Sequence, residues 1–132
     1  MRVVLDCNVI VAAARTDGIC RSVLLKVVRD HEVILSAPII REYRSVGARP
    51  KHKPYHRTMI TIADRLERVA LLVKPLPGSS FGLSDPDDEV YLATALAGQA
   101  DVLITGDLRH FPSSRYGPIV ILRPADFLAR HG

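Results

Sequence analysis

The sequence predicts one α/β domain of three layers, in which helices cover both faces of a mainly parallel sheet of about four or five strands. Short apolar runs alternate along the chain with longer segments of helical periodicity. The apolar runs are continuous, which is typical of strands that are buried on both faces. The 132 residues are enough for one domain, 1–132, with a hydrophobic core.

The continuous apolar runs and the helical periodicity assign the strands and helices along the chain. Strands are predicted at 2–6, 32–36, 101–105 and 119–122, with a weaker one at 70–73. Helices are predicted at 8–14, 21–30, 37–46, 58–68, 86–99 and 124–130. Pro38 suits the first turn of its helix, and Gly47 ends that helix. Ile62, Leu66 and Val69 are expected to form the buried stripe of 58–68. Two Pro-containing loops, 49–54 and 75–83, remain between these elements.

Composition excludes several classes of protein. No apolar run reaches the roughly 18–20 residues of a membrane span. Asp6 interrupts the first apolar stretch too early for a signal peptide, so we expect a cytoplasmic protein. Cys7 and Cys20 form no C-x-x-C pair, which argues against a zinc or disulfide framework, and Cys7 is expected to be a buried thiol.

A basic segment lies in the middle of a chain whose net charge is +4. Its cations are Arg41, Arg44, Arg49, Lys51, Lys53 and Arg57. Such a cluster suits the phosphate backbone of a nucleic acid, although a solvated surface would have the same composition. Trp is absent and aromatic residues make up 5% of the chain, so base stacking on an aromatic platform is not expected.

Four acidic residues from separate segments are predicted at one edge of the sheet. Asp6 ends the first strand, and Asp107 follows the strand at 101–105 by one glycine. Asp88 and Glu42 lie near the starts of helices that begin at the same edge. Because ligands of open parallel sheets bind beyond the carboxyl ends of the strands, these carboxylates mark a candidate site.

The helical phase separates the acids of the helix at 86–99. At about 100° per residue, Asp88 lies one turn before Leu92 on the stripe expected to be buried. Glu89 lies near the border of that stripe and remains an alternative, whereas Asp87 points away from it. Glu42 shares a helix side with Ile39 and Val46, an unusual place for a glutamate that is only solvated.

Carboxylates that lie this close repel one another unless a cation neutralises them. Mg²⁺ prefers oxygen ligands, and such ions activate water for attack on a phosphodiester. Structural explanations exist for each acid alone. Asp6 or Asn8 caps the following helix, and Asp107 is a turn residue. Glu42 is a surface residue of its helix. The helix at 86–99 is capped, and its dipole complemented, by the group Ser84, Asp85, Asp87 and Asp88. These explanations do not account for the shared edge.

Four motifs resemble those of the PIN-domain family. They are Val3-Val-Leu-Asp-Cys-Asn-Val-Ile10, Leu35-Ser-Ala-Pro-Ile-Ile-Arg-Glu42, Asp85-Pro-Asp-Asp-Glu-Val-Tyr-Leu92 and Asp101-Val-Leu-Ile-Thr-Gly-Asp107. The last is the most specific. The resemblance covers almost the whole chain and is greatest to the VapC-like ribonucleases, the toxins of bacterial and archaeal toxin–antitoxin systems.

The resemblance implies a PIN-like nuclease domain that cleaves RNA with Mg²⁺ or Mn²⁺, forms a homodimer and is inhibited by a cognate antitoxin protein. By motif match, the acidic metal ligands and catalytic residues are Asp6, Glu42, Asp88 and Asp107. The supporting residues are Asn8, Thr105, Glu89 and Asp85. The chain departs from the family at Cys7, where members usually carry a hydroxyl. Metal affinity is expected to be weaker here if that hydroxyl supports the site.

The favoured hypothesis is therefore a metal-dependent endoribonuclease whose basic segment holds the RNA backbone. A nucleic-acid-binding or regulatory module with little turnover fits the basic segment equally well. A phosphohydrolase of small substrates is disfavoured, because Asp6 is followed by Cys7 and Asn8 and so does not begin the Asp-x-Asp pattern of aspartyl-phosphate enzymes.

Overall fold

A computed structural model describes all residues, 1–132, of the chain. The strands are β1 (Arg2–Leu5), β2 (Glu32–Leu35), β3 (Leu71–Leu72), β4 (Val102–Ile104), β5 (Arg115–Tyr116) and β6 (Ile119–Leu122). The helices are α1 (Cys7–Arg15), α2 (Ile19–Asp30), α3 (Ala37–Gly47), α4 (His56–Val69), α5 (Pro86–Ala97) and α6 (Pro124–His131), and a 3₁₀ helix spans Pro50–Tyr55. None of the helices combines the length and the apolarity needed to cross a membrane.

The strands form one sheet in the order β3-β2-β1-β4-β6-β5. All neighbours are parallel except β5, which runs antiparallel to β6. Val3, in β1, pairs with Val33 on one side and with Val102 on the other. Apart from Arg2 and Glu32 at the strand starts, β1, β2 and β4 are apolar and buried, as their continuous runs predicted. The three-layer α/β/α prediction is confirmed.

Six strands exceed the four or five that the sequence predicted. The additional strand, β5, has only two residues and lies at the edge of the sheet, so it has no apolar run. The strand expected at 70–73 is reduced to Leu71–Leu72, and both side chains are largely exposed. Short edge strands are exposed on one side and leave little periodicity in a sequence.

The segment between α3 and α4 differs from the predicted loop at 49–54. It folds into the 3₁₀ helix, which brings the two long helices into contact through Gly47 and Met59. A Cβ on Gly47 would lie 3.0 Å from the Cβ of Met59, so a larger residue here would push the two helices apart by a few tenths of an ångström. The buried stripe of α4 is Met59, Ala63 and Leu66, and the predicted inclusion of Val69 is wrong because its side chain is 54% exposed.

Helix α5 packs against β1, β2, β4 and β6, and so crosses the centre of the sheet. Residues on most of its circumference are buried, from Asp88 near its start to Ala95 near its end. The helix ends at Gly98, where an added Cβ would overlap the side chain of Ile34 on β2. This close approach fixes the position of α5 over the sheet and hence the position of its acidic first turn.

We expect Gly98→Ala to lower the free energy of unfolding by about 1–3 kcal/mol, because its methyl group overlaps Ile34 in a closely packed core. The cost should shrink in an Ile34→Ala background, where the overlapping atoms are absent. Urea unfolding of the two single variants and the double variant measures this coupling. Strictly additive losses would show that the two residues do not limit the packing of α5.

Candidate functional site

Asp6 lies at the carboxyl end of β1 with its side chain 95% buried. The Oγ1 of Thr105 donates a hydrogen bond of 2.8 Å to its Oδ2, and the Nδ2 of Asn8 donates another of 3.1 Å. Asn8 also accepts a hydrogen bond from the backbone N–H of Gly106. The residues expected as polar supports, Asn8 and Thr105, thus contact Asp6 directly. Asp6 stands at the N-cap position of α1, but its side chain makes no capping hydrogen bond.

The acids at the start of α5 separate as the helical phase predicted. Asp88 is buried, whereas Asp87 is exposed. Asp85 caps the helix, because its Oδ1 accepts a hydrogen bond of 2.9 Å from the backbone N–H of Asp87. Glu89 accepts hydrogen bonds from the backbone N–H groups of Phe81 and Leu83, both 2.9 Å, and so holds the preceding loop. Its carboxylate is engaged away from Asp6, and Asp88 is the α5 acid that lies beside the cluster.

Glu42 reaches the same region from α3. Its Oε1 accepts a hydrogen bond of 2.7 Å from the hydroxyl of Tyr91, a side chain of α5 that is almost fully buried. A second buried tyrosine, Tyr43, donates its hydroxyl to the backbone carbonyl of Leu5 at the end of β1. The two phenols therefore connect α3 to α5 and to β1, and one of them fixes the orientation of the Glu42 carboxylate.

Asp107 is held by its own loop. Its carboxylate accepts hydrogen bonds from the Nε and Nη2 of Arg109, at 3.0 and 2.9 Å, and from the backbone N–H of Arg109. These contacts lower the pKa of Asp107 to about 2. The turn role considered for this residue is thus present in the structure. The guanidinium of Arg109 is 90% exposed and meets little steric resistance to movement.

His110 is a site residue that the sequence analysis did not identify. Its Nδ1 lies 3.6 Å from Asp88 Oδ1 and 3.8 Å from Asp6 Oδ2, and its Nε2 lies 3.6 Å from Asp107 Oδ2. The ring therefore stands between three carboxylates. Its position three residues after Asp107 was the only signal, and a single histidine after a turn indicates little without the fold.

A cleft of about 870 Å³ opens above this cluster. Its acidic wall contains Asp6, Glu42, Asp85, Asp87 and Asp88, and His110 closes one end. Its basic wall contains Arg15, Arg41, Arg49 and Lys51. Asp107 does not line the cleft, and its Oδ2 lies 3.6 Å from the Nε2 of His110, which does.

The basic wall includes three of the six cations that the sequence proposed for nucleic acid, together with Arg15, which the sequence analysis did not select. Arg44 is outside the cleft, because it forms ion pairs of 2.8 Å with Asp64 and Glu67 on α4. Lys53 and Arg57 line a separate cleft at the end of α3. Arg15 escaped selection because it lies far from the basic segment in sequence.

The pKa values of three acids in the cluster are raised, as expected of carboxylates whose ionised form a bound cation would stabilise. Burial raises the pKa of Asp6 despite the opposing hydrogen bonds from Thr105 and Asn8. Burial also raises the pKa of Glu42, and the neighbouring acid Asp6 adds to the effect. The pKa of Asp88 rises to about 6, mainly through burial and against the influence of His110. Each shift reflects a carboxylate whose negative charge is poorly compensated.

The donor set consists of carboxylate oxygens, which fits Mg²⁺ or Mn²⁺ and not a soft metal. No group of three His, Cys, Asp or Glu side chains is arranged to coordinate one ion directly. The ring of His110 separates the acids, so direct coordination requires it to move aside. Mg²⁺ also keeps several water ligands and so reaches carboxylates that are spread around it.

Cys7 occupies the position where the sequence departs from the resembled family. Its side chain is buried, and burial raises the pKa of the thiol to about 12. A thiol with so high a pKa stays protonated at neutral pH and is a poor metal ligand. Cys7 is therefore not a candidate ligand, and the candidate donors are the carboxylates.

The fold and the cluster define an α/β domain with an acidic site at the carboxyl edge of a parallel sheet. The sequence model described as "PIN domain" matches residues 2–109. Because the match covers most of the 132 residues, the chain belongs to the PIN domain family. The resemblance carried by the four motifs is confirmed.

Two solved structures share the fold. VapBC2 from Rickettsia felis, bound to a DNA fragment from its promoter, has a TM-score of 0.62 at 17% sequence identity, over 93% of this chain and 98% of that chain. VapBC-1 from nontypeable Haemophilus influenzae has a TM-score of 0.60 at 16% identity, over 95% of this chain and 99% of that chain. At these identities the likeness establishes the fold. No curated protein sequence matches the chain.

We expect Tyr91→Phe to weaken Mn²⁺ binding about tenfold, because the Glu42 carboxylate loses the charge-assisted hydrogen bond that orients it. Calorimetric titration measures the change. Tyr43→Phe is the matched control, since it removes a buried hydroxyl that contacts only the carbonyl of Leu5. Equal losses of affinity in both variants would show that general packing, and not the orientation of Glu42, determines binding.

A second prediction follows from Asp88, whose pKa is raised from 3.8 to about 6 in the folded protein. Between about pH 4 and 6 the folded state binds this proton more tightly than the unfolded chain does. The free energy of unfolding of the metal-free protein therefore falls as pH rises through this window. We expect Asp88 to account for about 1–2 kcal/mol of the fall, after discounting for partial solvent access.

Urea unfolding in EDTA from pH 4 to pH 7 measures this slope. Asp88→Asn should reduce the slope, while Asp6 and Glu42 retain their share of it, and should make the metal-free protein more stable than the wild type at pH 7. Asp17→Asn, which changes an exposed aspartate, should keep the wild-type slope. An unchanged slope in Asp88→Asn would mean that Asp88 ionises as it does in the unfolded chain.

Proposed function

We propose that this protein is a metal-dependent endoribonuclease and the toxin of a toxin–antitoxin pair. The observation that carries the proposal is a single cleft lined both by carboxylates, two of which are buried, and by four cations. The acidic wall suits a divalent ion, and the basic wall suits the phosphates of a nucleic acid strand. Membership of the PIN domain family supports a nuclease in general.

In this proposal Asp6, Glu42, Asp88 and Asp107 hold one or more Mg²⁺ or Mn²⁺ ions. When bound, such an ion lowers the pKa of a water molecule and stabilises charge on the phosphodiester oxygens. The side chains of Thr105 and Asn8 keep the Asp6 carboxylate oriented toward the ion. Tyr91 does the same for Glu42.

The basic wall has a separate task, which is to hold the RNA. Arg15, Arg41, Arg49 and Lys51 form no ion pair within the protein, so their charges are available for phosphates. They line the same cleft as Asp6 and Asp88, which supports the proposal that a strand held by the cations passes beside the acidic cluster. We expect Arg44 to contribute little, because Asp64 and Glu67 already neutralise it.

One observation favours a second candidate function, an RNA-binding or regulatory module with little turnover. The guanidinium of Arg109 is hydrogen-bonded to the carboxylate of Asp107. The ring of His110 lies between Asp107 and the acids Asp6 and Asp88. If these contacts persist when RNA binds, the acids hold no metal, and the cleft binds RNA without cleaving it. Metal-dependent cleavage of RNA by the wild type separates the two functions.

The partner proposal rests on the solved structures of similar fold, both of which are VapBC assemblies. We propose that a cognate antitoxin protein binds this chain and blocks its cleft, and that the active form is a homodimer. Co-expression with the product of the adjacent gene should restore growth to cells that the toxin arrests. Growth arrest that persists with the bound partner would contradict inhibition.

We expect Asp6→Asn to reduce metal-dependent RNA cleavage by at least about 100-fold while the fold is retained, because Asp6 is the most buried acid of the cluster. Cleavage of a labelled RNA in Mn²⁺ measures the loss, and circular dichroism verifies the fold. Asp17→Asn makes the same change at an exposed site and should remain fully active. Full activity in Asp6→Asn would refute the proposed metal chemistry.

A further inference from the structure

A second cleft, of about 580 Å³, lies where α3, the 3₁₀ helix and the start of α4 meet. Three of its lining residues are cations, Arg49, Lys53 and Arg57, and no acidic residue lines it. Its remaining walls are backbone and small or ring side chains, including Gly47 and His56. The cleft is therefore a concave surface with a single sign of charge.

The three cations have no ion-pair partner in the protein. This contrasts with Arg44 on the neighbouring turns of α3, which two acids of α4 neutralise. The same helix pair therefore supplies carboxylates to one arginine and leaves the cleft cations without any. Like charges held together repel, and a bound anion relieves that repulsion.

The walls of the second cleft are fixed in place. The Nδ1 of His56 is hydrogen-bonded at 2.7 Å to the backbone carbonyl of Gly47. Gly47 also packs against Met59, so the end of α3 cannot separate from α4 without losing buried contacts. Pro50 and Pro54 restrict the backbone of the connecting 3₁₀ helix. The cations thus project from a rigid rim, which lowers the entropy cost of binding.

The second cleft adjoins the first. Arg49 lines both of them, so the row of cations is continuous from one cleft to the other. Glu42, in the acidic cluster, and Gly47, in the second cleft, are five residues apart on α3, a separation of about 7.5 Å along the helix axis. Arg49 is the one residue that the two linings share, so an anion bound among Lys53, Arg57 and Gly47 is separate from a phosphate beside the acids.

We propose that the second cleft binds another phosphate of the same single-stranded RNA, several ångströms along the strand from the cleaved bond. This inference rests on the proposed ribonuclease function and specifies its substrate as an oligonucleotide. A dinucleotide fills only the acidic cleft, whereas a longer strand also engages Lys53 and Arg57. The second cleft therefore sets a minimum length for efficient binding.

The test compares Lys53→Ala/Arg57→Ala with Arg65→Ala/Arg68→Ala, a control that removes two exposed, unpaired cations from the far end of α4. Both variants lose the same charge. Binding of oligouridylates of increasing length, from the dinucleotide upward, is measured by calorimetry in EDTA so that cleavage does not intervene. Lys53→Gln/Arg57→Gln serves as a second variant, and circular dichroism verifies that each protein is folded.

We expect the wild type and the control to gain affinity in a step as the strand lengthens. Lys53→Ala/Arg57→Ala should lose that step, with about tenfold weaker binding of long strands and unchanged binding of the dinucleotide. The salt slope for long strands should fall by about 0.7, the value for one phosphate of a single strand. Equal losses in both double variants, or a loss that includes the dinucleotide, would overturn the second site.

The outcome also distinguishes this inference from the proposed function. Wild-type protein that cleaves RNA while the Lys53 and Arg57 variants bind every length normally would overturn the second site alone. Wild-type protein that neither binds nor cleaves RNA would overturn the ribonuclease and, with it, the second site.

Discussion

The constraint on which this structure depends is the burial of negative charge at the edge of a parallel sheet. Asp6 directly follows β1, and parallel pairing brings the end of β4 to the same edge, where Asp88 in the first turn of α5 also lies. Two polar neighbours, Thr105 and Asn8, compensate part of the cost for Asp6, and His110 lies among the remaining acids. The loop after β4 and the start of α1 thus supply the polar groups that offset the desolvation of the buried carboxylates.

The fold was predictable because its signals are local and strong. The central strands are uninterrupted apolar runs, and their order in the chain implies parallel pairing. The same topology gathers the acids, so helical phase alone separated Asp88 from Asp87. Edge strands such as β5 were not predicted, because two residues are too few to show an alternating hydrophobic pattern.

Which side chains hold one another could not be read from the sequence. Arg44 belongs to the basic segment by composition, yet it pairs with two acids about one turn apart on α4, Asp64 and Glu67. Glu89 resembles a ligand by position, yet two backbone N–H groups engage it. His110 has meaning only once three separate segments surround it. Such pairings depend on the rotation and spacing of whole helices, which sequence periodicity leaves undetermined.

Helix α3 carries Glu42 at one point and ends in Gly47 at another, on a single rigid rod. The separation between Glu42 in the first cleft and Gly47 in the second cleft is consequently set by the rise of the helix and not by a flexible loop. Inserting or deleting one residue between them would rotate the two sites by about 100° relative to each other. The regular rise of helix α3 therefore sets the separation between Glu42 and Gly47. Only substitutions that keep the number of residues between them preserve that separation.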